Sequence, residues 1–82
     1  MRAQRHTLAN ALRVAADQYA ADATIFANLA TAEAARTDLG ESTAAALATG
    51  HGRTATTFAA QAVAARRLAE EIEQADSIQL DD

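Results

Sequence analysis

The chain has 82 residues, half of them hydrophobic, and a formal net charge of −4. That balance argues against a general nucleic-acid binder, which needs clustered positive charge to neutralise phosphates. No cysteine is present, so disulfides and thiolate metal sites are excluded, and no apolar run approaches the ~20 residues of a membrane span.

A chain of this length makes one small domain that buries only about 60% of its unfolded surface. Most of the hydrophobic residues are alanine, which contributes little burial, and the large apolar side chains are few. Small scaffolds with thin cores are completed by disulfides, metals or oligomerisation. With the first two removed, the composition predicts a homo-oligomer or docking onto a partner protein. All seven basic residues are arginine, a usage that fits a high-GC genome. The basic opening "MRAQRHTLANALRVAA" lacks the unbroken apolar stretch of a secretory signal. It reads as the start of a first helix, and a cytoplasmic location is expected.

The three glycines all lie between residues 40 and 52, and there is no proline. Glycine and proline are the main punctuators of helices, so both flanks are predicted helical. In the first, Leu8, Leu12, Ala15, Tyr19, Asp22, Phe26 and Leu29 recur in steps of four and three, a heptad-like stripe. The polar intruder Asp22 allows a drift that places Ala23 in the core instead. Gly40 fits a C-terminal cap, which sets the first helix at about 4–38. Ser42 or Thr43 then caps a short helix at about 43–49 that ends at Gly50. Thr54 caps a last helix at about 54–76, followed by a non-helical tail at 77–82. Its stripe is Phe58, Gln61, Ala65, Leu68, Ile72 and Ala75, with the same drift placing Ala62 in the core instead of Gln61. The fold class expected is all-α: an antiparallel hairpin of two long helices with a short third helix in the connection, completed by oligomerisation. Leu8, Leu12, Tyr19, Phe26, Phe58, Leu68 and Ile72 are the expected interface residues.

Charge favours the same topology. Arg2, Arg5 and Arg13 lie near the start of the first helix, and Glu70, Glu71, Glu73 and Asp76 lie near the end of the last. An antiparallel hairpin brings these ends together, each exposed pair contributing at most about 1 kcal/mol.

Few parts for catalysis are present. Ser42 and Ser77 are the only serines, and His6 and His51 the only imidazoles. They do not form a nucleophile–base pair, and Glu-x-x-His pairs for a di-iron bundle are missing. The sequence therefore predicts a non-enzymatic protein with no metal and no cofactor. One segment carries parts for a ligand: "GHGRT", comprising Gly50, His51, Gly52, Arg53 and Thr54. Glycines before a helix N-terminus can form a nest of N–H groups for an anion, with Arg53 as a charged fork. A nucleotide- or phosphate-binding protein is the alternative reading, although the P-loop spacing is absent.

The segments "ALRVAADQYAADATIF" and "FAAQAVAARRLAEEIEQADSI" resemble the short Ala/Arg-rich helical accessory proteins of actinobacteria and their phages. The resemblance is one of pattern and transfers no site residues. It implies a non-enzymatic accessory protein that self-associates and engages a host protein, as do those phage products that counter host defences. The length and two-helix plan are also similar to the secreted helical hairpins of the WXG100 type. The chain departs from them in having no tryptophan, and in placing Asp22 three residues after Tyr19 rather than four.

Overall fold

A computed structural model describes the backbone of residues 2–79 and the side chains of residues 4–75. Two helices, α1 (Arg2–Ala34) and α2 (Glu41–Gln79), are joined by the connection 35–40 and pack against each other along their length. At 1.5 Å per residue, helices of 33 and 39 residues account for the 64 Å long axis of the molecule.

The seam follows a strict heptad. On α1 the residues turned inward are Arg5, Leu12, Tyr19, Phe26 and Glu33 at one position, and Ala9, Ala16, Ala23 and Ala30 four residues after each. On α2 they are Ala44, His51, Phe58, Ala65 and Ile72, with Ala48, Ala55, Ala62 and Ala69 in the second position. One row of each helix is thus entirely alanine. Among the described residues the buried hydrophobic positions are Ala9, Ala16, Ala23, Ala44, Ala62 and Ala69, and no large side chain is fully buried. A methyl side chain loses almost no rotamer entropy and lets helix axes approach closely, so the seam is held by backbone proximity and half-buried rings.

Sequence periodicity places the first row correctly at 12, 19, 26, 58, 65 and 72. The second row is read in part: Ala23 and Ala62 face inward, as the drift past Asp22 and Gln61 places them, but Ala9, Ala16 and Ala69 take the places expected for Leu8, Ala15 and Leu68. The larger side chains score as core by hydrophobicity. Steric fit between close helices selects alanine and turns Leu8 and Leu68 outward.

Helix α1 ends at Ala34, four residues earlier than the glycine position predicts, and Arg36 N–H donates to Glu33 O at 3.1 Å as it closes. Arg36 then grips Asp38 with two nitrogens, Nε at 2.9 Å and Nη2 at 2.5 Å. Residues two apart point to different sides of a helix, so this bidentate pair requires the non-helical connection. Gly40 opens α2 rather than closing α1, its carbonyl accepting the Ala44 N–H at 3.0 Å. Glu41 lies in the first turn, where the helix dipole favours an acid.

No separate third helix forms. α2 runs unbroken through Gly50 and Gly52, and neither has a positive φ. Each glycine costs about 1 kcal/mol relative to alanine, but the inward row Ala48, His51, Ala55 and Phe58 spans the segment and packing keeps it helical. Residues 77–79 are helical as well, since nothing in the sequence stops the helix there. The rest of the expected tail, 80–82, lies outside the described residues.

Candidate functional site

At the centre of the hairpin the inward rings alternate between helices. Tyr19 of α1 stacks on Phe58 of α2 with centroids 6.1 Å apart, and Phe58 stacks on Phe26 at 5.6 Å. Phe26 meets His51 at 5.7 Å, tilted by 34°. His51 Nδ1 then lies 2.9 Å from both carboxylate oxygens of Glu33. A carboxylate only accepts, so Nδ1–H donates. These contacts fix the register: each α2 residue of this row fits between two α1 residues seven apart.

The Glu33–His51 pair was missed by sequence reasoning. The signal was present, since Glu33 continues the spacing of Tyr19 and Phe26, and His51 precedes Phe58 by seven. Taking His51 for a loop residue hid it.

Among the described residues, arginine–carboxylate pairs also cross between the helices, Arg13 with Glu73, and Arg66 Nη2 with Asp17 Oδ1 at 3.2 Å. The first realises the expected attraction between the hairpin ends. Arg13 and Arg66, which have i,i+4 acids within their own helices, thus reach across the seam. The heptad places all four residues on one broad face of the hairpin. Leu8, Ile25, Leu29, Leu47 and Leu68, all exposed, fall on the other. Of the remaining charged side chains among the described residues, only Asp22 and Glu71 join the leucines there. Of the two exposed valines, Val14 lies on the outer side of α1, away from both faces, and Val63 falls on the side of the ion pairs.

The expected interface set therefore divides. Leu12, Tyr19, Phe26, Phe58 and Ile72 are half-buried in the seam of a single chain, whereas Leu8 and Leu68 are exposed at 52% and 46%. An open apolar depression lined by Gln4, Thr7, Leu8 and Ala11 marks one end of the leucine face.

Gly50, His51, Gly52, Arg53 and Thr54 form no loop and no helix start. Their N–H groups lie inside α2, committed to preceding carbonyls rather than gathered into a nest. The threonine hydroxyls turn inward in the same way: Thr54 donates to Gly50 O, Thr56 to Gly52 O and Thr57 to Arg53 O, at 3.0–3.2 Å. His51 faces the seam, Arg53 faces out, and the five residues do not converge on one point. Among the described residues, no three His, Cys, Asp or Glu side chains group as a metal site, and no helix is long and apolar enough to cross a membrane.

No protein-family profile, curated protein or solved structure matches the chain.

Proposed function

We propose that the chain is a non-enzymatic interaction protein that works by presenting the leucine-lined face of its hairpin to another protein surface. The observation that carries this reading is the inversion of burial: the core is alanine, while Leu8, Ile25, Leu29, Leu47 and Leu68 share one exposed face. Large apolar side chains gathered on one exposed face of a thin-cored chain mark a protein contact. Half-buried pairs and methyl groups alone leave a hairpin of this length thinly stabilised, so its partner also completes the fold. In biological terms the reading is that of a small accessory protein, of the kind made by actinobacteria and their phages, which self-associates and engages a host protein in the cytoplasm. The Ala/Arg-rich pattern supports it.

Site-specific photo-crosslinking tests the reading. A benzophenone side chain introduced at Ile25 on the leucine face is expected to give a discrete adduct with a polypeptide. The same group at Val14, exposed at 69% on the outer side, is expected to give none. Equal labelling from both positions, or none from either, contradicts the proposal.

A further inference from the structure

We propose that the leucine face is covered by a second copy of the chain, related by a two-fold axis parallel to the hairpin's long axis, so that α1 of each copy lies over α2 of the other in a four-helix bundle. The inference rests on the reading of this face as an interaction surface and names its occupant and geometry.

The size of the face fits. It measures 64 by 14 Å between Cα positions, a footprint on the order of the ~800 Å² per partner in a standard interface. Its charge fits too, since the cross-helix pairs Arg13–Glu73 and Asp17–Arg66 lie on the opposite broad face. Burying the leucine face therefore strands neither pair away from water.

The register selects the axis. The ring contacts and ion pairs put residues whose numbers add to about 80 at the same level of the hairpin. Leu29 is thus level with Gly50, Leu68 with Ala11 and Ala15, and Leu47 with Ala32. An axis along the hairpin places Leu29, Leu47 and Leu68 of one copy against small residues of the other, while Leu8 lies level with Glu71. At Gly50 the surface is open to a neighbouring chain: a Cβ built there meets nothing within 4 Å, the chain's own Leu29 included. The same axis sets Asp22, which accepts from Gln18 at 3.1 Å, beside the amide of Gln61 in the other copy. An axis across the hairpin would instead stack α1 on α1 and bring the two Asp22 carboxylates together near the centre.

The test combines mass with one distance. Sedimentation equilibrium of the full chain is expected to give twice the 8.5 kDa chain mass. Thr37→Cys supplies a unique thiol in the exposed connection. Spin labels there are expected roughly 20–30 Å apart in the dimer, about two helix diameters, because both connections lie at one end. A separation near the 64 Å length of the hairpin places them at opposite ends and overturns the geometry. Joint Leu29→Gln and Leu68→Gln substitution is expected to raise the dimer dissociation constant at least tenfold, and an unchanged constant overturns the assignment of the face. A folded monomer that still gives an Ile25 photo-adduct with a different polypeptide overturns the second copy as occupant while leaving the interaction reading intact. A monomer with no adduct removes both.

Discussion

Glu33 and His51, eighteen residues apart, meet across the seam with both carboxylate oxygens 2.9 Å from Nδ1, at side-chain exposures of 14% and 33%. The pair closes the ring ladder at the end nearest the connection and ties the last turn of α1 to α2. A hydrogen bond to a charged, partly buried acceptor contributes about 1.5–3 kcal/mol before solvent screening. A double-mutant cycle of Glu33→Ala and His51→Ala, measured by urea unfolding, is expected to show a coupling energy of about 1 kcal/mol. Additive effects would mean the contact does not hold the helices together.

The alanine rows make a prediction of opposite character. Ala16 and Ala62 have almost no room around their methyl groups, so Ala16→Leu or Ala62→Leu must push the helices apart. Overpacking of this kind costs about 1–3 kcal/mol, and a lowered thermal midpoint is expected in each variant. A raised midpoint would show that the seam has space for larger side chains.

Gly52 departs from helix-forming preference without steric need. Its φ is ordinary and an added Cβ meets nothing within 4 Å. Gly52→Ala is expected to stabilise the fold by about 0.5–1 kcal/mol, through the reduced entropy of the unfolded chain. In a chain of this size that raises the midpoint by several degrees, about 4–8 °C per kcal/mol. No rise would mean that α2 is not continuous through this segment.

How far the sequence reveals the molecule can be judged at these same residues. Leu12, Tyr19, Phe26, Phe58 and Ile72 are legible as core because they are large and seven apart. The alanine rows are not, because a scale that rewards hydrophobic size favours Leu8 and Leu68 over Ala9 and Ala69. The helical hairpin and its charge-matched ends are readable from the missing proline and from Arg13 and Glu73. The continuity of α2 is not: Gly50 and Gly52 are local breakers, and only the packing of His51 and Phe58 on α1 outweighs them. The GHGRT ligand reading depended on that break.

The committed N–H groups of residues 50–54 lead to a further expectation. Adding phosphate or cyclic nucleotides is expected to leave the thermal midpoint unchanged, and Arg53→Ala is expected to have no effect on that response. A midpoint that rises with ligand concentration, and does so less in Arg53→Ala, would restore an anion site by mass action.

The connection carries a pH signature. The hydrogen bond from Arg36, reinforced by its charge, holds the Asp38 carboxyl below its ordinary value of 3.8. A depressed folded value means that the contact's contribution is fully present above the unfolded carboxylate value and is lost as pH falls through the folded one. Carbon-detected NMR titration is expected to give a midpoint below 3.8 for Asp38, moving back up in Arg36→Ala. An unchanged midpoint in that variant would show that the pair does not form in solution.

The central claim is that an alanine-seamed hairpin is completed by covering its leucine face. The most direct measurement is the thermal midpoint of the unmodified chain, followed by circular dichroism from about 1 to 100 μM. Association that accompanies folding makes the midpoint depend on concentration. The midpoint is expected to climb steadily across the series, and to stay flat in the Leu29→Gln, Leu68→Gln double variant. A high midpoint for the unmodified chain that does not move with concentration would contradict it.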